Sequence, residues 1–370
     1  MHVAHITPVW PTSRRPERGA FIASLALEFS RRCQVSVVAP RSILRASIDR
    51  ALISVERRGP EFPFEIQEPF YLGMSNRFAL LKRWSSHLQQ AAFRGAVRRA
   101  LSRLSSKPSL VYASFTESGL AAWEWCRENS VPFFVEFQES SLLGAIARCR
   151  HDRFLRMVDA AERVISVGQE SRRILAQIPS RRTGGGEYIP NGVDRERFRP
   201  ADKRLSRERL GLPDGVRIAV FTGHFIDRKG PLRLMKALDG LEGFFGIFLG
   251  QGSQTPSGPR VLHAGPVPNE SLPVWLSAAD VFALPSLAEG MANATLEALS
   301  VGLPVVVSDR AFNRDFLTED CAVFVDPDCP SDIGRGLEEA FGRRIALGQG
   351  AMAVAARHSL RSRVDKILAT

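Results

Sequence analysis

The chain has 370 residues, 44% of them hydrophobic and 24% charged, a balance that excludes a disordered or fibrous protein and leaves room for two ordinary cores. Its formal net charge of +11 lies in the first part, where residues 1–200 carry 31 Lys and Arg against 19 Asp and Glu, while residues 201–370 carry 19 against 20. No apolar run is long enough to span a bilayer, Val3–Val9 is too short and too broken by Pro8 and Pro11 for a signal peptide, and five scattered cysteines make neither a disulfide framework nor a metal motif; a reduced, cytoplasmic protein is expected.

The elements alternate strand and helix from the start. Val3–Ile6 reads as a strand, Thr7–Gly19 as a loop rich in Pro and Arg, Phe21–Arg32 as a helix with Phe21, Ile22, Leu25 and Phe29 on one face, and Val35–Ala39 as the returning strand. From Arg77 to Lys107 basic residues interleave with Leu81, Trp84, Leu88, Val97, Leu101 and Leu104 at helical intervals. Such a basic amphipathic stretch either packs its apolar stripe on its own domain or lies on an anionic membrane surface; no nucleic-acid motif accompanies it. Strands follow at Leu110–Ala113, Phe133–Phe137 and Val164–Val167, with helices at Gly119–Glu128 and Glu170–Gln177. Polar, Arg-rich Asp194–Arg209 reads as a link between domains.

A second series then begins: strand Val216–Phe221, helix Pro231–Leu238, strands Phe244–Leu249 and Val261–Ala264, helix Glu270–Ala278, strand Val281–Leu284 and strand Val305–Ser308. From Ser331 the chain is helical, ending in a helix over about Gln349–Leu368. This order predicts an α/β protein of two doubly wound parallel sheets facing a cleft, with ligands beyond the carboxyl ends of the strands. The expected domains are 1–192, 193–348 and a C-terminal helix, 349–370.

The run from Ala283 to Val307 sets two carboxylates, Glu289 and Glu297, around a strand-to-helix turn. Asn293 is placed to cap a helix over Ala294–Val301, so Gly290, Met291 and Ala292 fall at a helix N-terminus, where unpaired amides and the helix dipole favour an anion such as a diphosphate. Two anchored acceptors can grip separate hydroxyls of a sugar and a ribose.

This segment resembles the E-x7-E signature of the family 4 glycosyltransferases, retaining enzymes of the GT-B fold. Tyr188–Pro200 resembles that family's "IPNGVD" junction, Thr222–Gly230 its "GR…KG" loop, and Phe248–Gly252 its "GxG" turn. The resemblance implies a nucleotide-sugar donor held by Gly223, His224, Arg228, Lys229, Gly250, Glu289, Gly290, Met291, Ala292 and Glu297, with Lys229 on the diphosphate and Gly19 in the first loop close to donor or acceptor. The family often has arginine where His224 stands, which leaves Arg228, or Arg14, Arg15 and Arg18, to supply charge. Where many relatives carry a histidine after the fourth strand, this chain has Gln138, able to orient a hydroxyl, with Glu139 beside it as a group that could act on the acceptor. No DxD motif stands out, so no metal and no cofactor beyond the donor are expected.

The resemblance implies transfer of a hexose, with retention, to a glycan or lipid-linked glycan at the inner face of a bacterial membrane, with residues 1–192 binding the acceptor and the last helix crossing back onto them. A nucleotide-sugar epimerase and a non-catalytic nucleotide-sugar-binding subunit stay open beside that reading.

Overall fold

A computed structural model describes residues 1–12, 18–43, 62–73, 82–138, 141–180 and 186–369, with only the backbone of 82–86. Arg14, Arg15, Glu139 and the start of the basic stretch, 77–81, lie outside the described residues. The chain divides into two units, Met1–Ile189 and Pro190–Thr370.

In the first unit, β1 (His2–Ile6), α1 (Ala20–Ser30), β2 (Gln34–Val38), β3 (Arg41–Ser42), β4 (Glu65–Gln67) and β5 (Phe70–Tyr71) precede α2 (Lys82–Leu101). They are followed by β6 (Leu110–Ser114), α3 (Thr116–Glu128), β7 (Phe133–Phe137), α4 (Leu142–Ala147), α5 (His151–Ala160), β8 (Arg163–Ser166), α6 (Gln169–Ala176) and β9 (Glu187–Tyr188). Seven strands form one parallel sheet in the order β4-β2-β1-β6-β7-β8-β9. The central strands β1, β6 and β7 are buried along their whole length, as expected of a parallel sheet covered on both faces. The direction of winding reverses between β1 and β6, which is where an open α/β sheet leaves its crevice.

The basic stretch resolves into α2, whose Phe93, Ala96, Val97, Ala100 and Leu101 are buried. Its apolar stripe faces the core of its own unit: Tyr71 meets the Phe93 ring edge-on at 5.3 Å. Arg94 and Arg98 pair with Glu124 and Glu128 of α3. Leu88, nearer the start of the helix, stays exposed, as do Phe70 and Leu72 of the β5 strand and its exit.

The second unit contains α7 (Lys203–Leu210), β10 (Arg217–Thr222), α8 (Pro231–Asp239), β11 (Phe244–Leu249), β12 (Val261–Gly265), α9 (Leu272–Ala278), β13 (Val281–Leu284), α10 (Asn293–Ser300) and β14 (Val305–Ser308). After these come α11 (Ala311–Arg314), β15 (Ala322–Val325), α12 (Pro330–Gly342), α13 (Arg344–Arg357) and α14 (Leu360–Leu368). Its six strands are again parallel, in the order β12-β11-β10-β13-β14-β15, and here the winding reverses between β10 and β13.

Three expectations change. The polar segment Asp194–Arg209 is not an open link: Asp202 caps α7 through the Leu205 N–H at 2.8 Å, and the guanidinium of Arg207 is buried, 2.8 Å from Asp280 and donating to the carbonyls of Ala278 and Val216. Asp280 also accepts from the Ile218 N–H and from Lys203. Composition made this stretch look solvated, but one buried charge pair with its remaining hydrogen bonds satisfied folds it onto the sheet. The expected last helix over Gln349–Leu368 is two helices, broken at His358 and restarted by the Ser359 hydroxyl, which accepts from the Ser362 N–H at 3.1 Å. The restart is tied to the head of the second unit, with Val193 N–H donating to the His358 carbonyl at 2.8 Å and Leu360 N–H to the Val193 carbonyl at 3.0 Å. Finally, Asn293 is the first residue of α10 and not its cap; Ala292 holds the cap position with no side chain to offer.

Candidate active site

The reversal between β10 and β13 brings two loops together. β10 runs out through Gly223 and His224 into one tight turn, Asp227–Lys229, and then α8; β13 runs out through Pro285 to Ala292 and then α10. Between turn and helix stands Gly230, left-handed at φ 78°, where a Cβ would lie 2.5 Å from the Pro285 carbonyl oxygen. Only glycine meets both demands. The loops are then stitched: Leu287 N–H donates to the Arg228 carbonyl at 2.8 Å, Arg228 donates to the Ala288 carbonyl, and Arg233 to that of Pro285 at 3.1 Å.

The stitching aims the side chains. Glu289, with its side chain 8% exposed, has Lys229 Nζ 2.6 Å from Oε1 and Arg228 Nη1 3.4 Å from Oε2. Two cations on one carboxylate leave a net positive site. Beside it, the first turn of α10 has no side-chain cap, so amides and dipole add to the attraction for an anion. The hydroxyls of Thr222, Ser286 and Thr295, at the two strand ends and in that first turn, are buried and have no partner among the described residues. Buried polar atoms of this kind ordinarily mark where a ligand or water belongs.

Glu297 stands one helical turn further, half-buried. Burial pushes its carboxyl up to about 7, against the opposing pull of Arg197. Arg197 is itself committed elsewhere, donating to the Asn269 carbonyl and stacking on Phe198. Met291 and Ala292 are buried, and the loop is fixed from behind by Asn191, whose side-chain amide donates to the Met291 carbonyl at 3.2 Å and whose N–H points at the Met291 sulfur at 3.1 Å. His224 is exposed. Gly250 lies against its own chain: a Cβ there would sit 1.9 Å from the Gly223 carbonyl oxygen.

In the first unit, Gly19 caps α1 with its bare Cα against the backbone of Val9 and Trp10, a packing reason for glycine that needs no ligand. Gln138 follows β7, and its Nε2 donates to Glu136 Oε2 at 2.6 Å. Glu136, fully buried in mid-strand, also accepts from the Tyr112 hydroxyl and, at 3.5 Å, from Ser114 Oγ, which is 2.9 Å from His5 Nε2. Neither Glu136, His5 nor Asn191 was singled out from the sequence as a site residue. The signal available was a charge inside an otherwise apolar strand, Phe133-Phe-Val-Glu-Phe137, which a buried sheet does not hold without cause. The adjoining residue Phe115 has φ 73° without being glycine, and its N–H donates to the Glu136 carbonyl at 2.8 Å.

Residues 217–341, β10 through most of α12, match the family model described as Glycosyl transferases group 1. Over its whole length the chain superposes on sucrose-phosphate synthase from Thermosynechococcus elongatus, with a TM-score of 0.78, 16% identity, and coverage of 99% of this chain and 97% of that one. The fold is GT-B. Anabaena HepE in complex with UDP-glucose has the same GT-B architecture, with a TM-score of 0.71 at 15% identity over 100% of this chain and 99% of that one. In sequence the chain is 27% identical over 327 residues, 84% of its own length and 81% of the relative's, to the putative teichuronic acid biosynthesis glycosyltransferase TuaC of Bacillus subtilis. A GT-B glycosyltransferase is what these matches support.

Proposed function

We propose that this protein is a retaining glycosyltransferase that moves a hexose from a nucleotide-diphosphate sugar to a glycan or lipid-linked glycan acceptor during assembly of a bacterial surface polysaccharide. The observation that carries the reading is Glu289 clasped by Lys229 and Arg228 beside an uncapped helix N-terminus. A diphosphate takes the cations and amides, and the released carboxylate accepts hydroxyls of the sugar. The bond from the anomeric carbon to the diphosphate breaks, the acceptor oxygen bonds to the same face, and its proton passes to the leaving diphosphate oxygen. Stabilising the charge that develops on the leaving group is the largest contribution such a site makes. Because fixed cations and amides carry that charge, transfer is proposed to run without a divalent metal.

HepE is seen in complex with UDP-glucose, which makes that the first donor to try, and the polysaccharide setting follows the name of TuaC. The test is NMR of the first-formed product from an α-linked donor. An α-glycoside is expected, and a β-glycoside formed directly would overturn the mechanism.

We also place the protein at the cytoplasmic face of the membrane, drawn there by the charge of its first unit. No helix among the described residues is long and apolar enough to cross a membrane, and Phe93, Ala96, Val97, Ala100 and Leu101 of α2 are committed to its own core, so this contact is argued from charge. Arg94 and Arg98 already face carboxylates, so the groups chosen for neutralisation come from the rest of the basic stretch, Lys82, Arg83, Arg99 and Arg103. At about 1 kcal/mol for each basic residue near an anionic surface, the fourfold Gln variant should leave phosphatidylglycerol vesicles at modest salt. Equal cosedimentation of variant and parent would refute the placement.

A further inference from the structure

The buried cluster around Glu136 is too costly to be neutral packing. Its carboxyl group sits in the central strand β7 with no exposure to solvent, and it is reached from three strands: the Tyr112 and Ser114 hydroxyls of β6, His5 of β1 acting through Ser114, and the amide of Gln138 just beyond β7. The rings of His5, Tyr112 and Phe29 pack edge to face on one another, at 5.2 to 6.1 Å between centroids. Burying a carboxyl group costs free energy even when it is hydrogen-bonded, and an apolar residue in its place would pack at least as well. What the carboxyl does that an apolar residue could not is set the direction of one amide.

A primary amide has a donor end and an acceptor end of nearly the same shape, and either can be turned toward a neighbour. Glu136 Oε2, which already accepts from Tyr112, engages the donor end, Gln138 Nε2, at 2.6 Å. The acceptor end follows by geometry: Gln138 Oε1 is buried and has no hydrogen-bond partner among the described residues, at the carboxyl end of the strand where open α/β sheets bind their ligands. An acceptor left buried and unsatisfied is a vacancy for a donor.

We infer that Glu136 is a positioning residue that holds the Gln138 amide in one orientation, so that Gln138 Oε1 accepts a hydrogen bond from a hydroxyl of the acceptor saccharide. This rests on the transferase reading above for the identity of the ligand, though not for the link between the two side chains. It also explains how a glutamine serves after β7: it cannot take the acceptor's proton, and its part is to hold the hydroxyl-bearing ring.

The test has two arms. In the free protein, labelled with 15N and with the Gln138 signal identified by its loss in Gln138→Ala, the side-chain amide is expected to exchange slowly with water. Glu136→Leu, which fills the space and leaves no oxygen for the amide to donate to, should release it to fast exchange while the melting temperature shows the fold intact. Unchanged exchange in that variant would overturn the inference, and needs no substrate to be seen. In the second arm, with UDP-glucose as donor and a panel of octyl hexosides as acceptors, Glu136→Leu and Gln138→Ala should each raise KM for the glycoside about tenfold, as expected for one hydrogen bond lost to a substrate hydroxyl, while KM for UDP-glucose stays within about twofold. A rise confined to the donor KM would overturn it. If no octyl hexoside is glycosylated by the parent protein, the transferase reading fails with these probes, and the amide signature alone decides the link between Glu136 and Gln138. Should Glu136→Leu not fold, Gln138→Glu serves in its place: a second carboxylate facing Glu136 is turned away, and the same rise in glycoside KM is expected.

Discussion

Replacing Glu289 by alanine is expected to lower turnover by about a hundredfold or more while leaving binding of UDP undiminished or tighter. The opposite signs come from the apo geometry. Glu289 occupies both cations of the site, Lys229 at 2.6 Å and Arg228 at 3.4 Å, so a diphosphate entering the site competes with a carboxylate already in place. Removing the carboxylate frees both cations for the phosphates. Turnover goes the other way because the carboxylate, once displaced, faces the sugar whose anomeric carbon becomes cationic, and an interaction stronger in the transition state than in the ground state is what accelerates chemistry. Lys229→Ala gives the complementary pattern, weaker UDP binding by roughly the 1.5–3 kcal/mol of a charge-assisted hydrogen bond. Calorimetry with UDP beside steady-state release of the nucleotide checks both variants. Parallel loss of binding and turnover in Glu289→Ala would show that the carboxylate serves binding only.

UDP-glucose affinity is expected to rise with pH through about 7, by about tenfold between pH 6 and pH 8, with Glu297 as the cause. Burial pushes its carboxyl up to about 7, and only the ionised form gives two strong acceptors to a pair of hydroxyls. Below 7 the site must first lose a proton, so apparent affinity falls with the fraction ionised. The sign for stability is the reverse. A folded-state value raised from 4.5 to about 7 means that the folded protein holds this proton where the unfolded chain has released it, so the contribution is full below about 4.5 and is lost as pH rises through 7. The span is about 3 kcal/mol at 1.36 kcal/mol for each pH unit. Glu297→Gln should bind UDP-glucose more weakly at pH 8, show a flat affinity profile and lose that part of the pH dependence of unfolding. Titration of both proteins from pH 5 to pH 8.5 decides it, and an unchanged slope in the variant would remove Glu297 from the site. UDP-glucose suits this test better than UDP, since its diphosphate has no free terminal phosphate to titrate in the same range.

The parallel sheets were legible because alternation of buried strands and helices is a local property of sequence. Phe133–Phe137, Phe244–Leu249, Val281–Leu284 and Val305–Ser308 occupy the residues their apolar runs predicted. The short edge strands β4 and β9 were not read, since two or three residues show no period. Lys203–Leu210 was missed for a different reason: a polar composition hides a helix whose burial depends on Asp280, more than seventy residues away. The donor loops could be read because Arg228, Lys229 and Glu289 sit in short motifs, yet the ion pairs that join them belong to the fold. The cluster of His5, Ser114 and Glu136 joins three strands that are adjacent in the sheet and far apart along the chain, and no window on the sequence contains it.

The contact between Gly250 and the Gly223 carbonyl changes what the "GxG" turn can be used to diagnose. A side chain at 250 would collide with main chain at 1.9 Å, whether or not a nucleotide ever visits. Gly252 is under the same constraint, 2.2 Å from the Phe225 carbonyl oxygen. These glycines record a folding requirement, while on the proposed mechanism Glu289 records an occupation. A descendant that gave up the reaction would be obliged to keep the first two and released from keeping the third, so a genome survey that ranks candidates by the glycines will collect retired enzymes, whereas the carboxylate with its two cations separates those still at work.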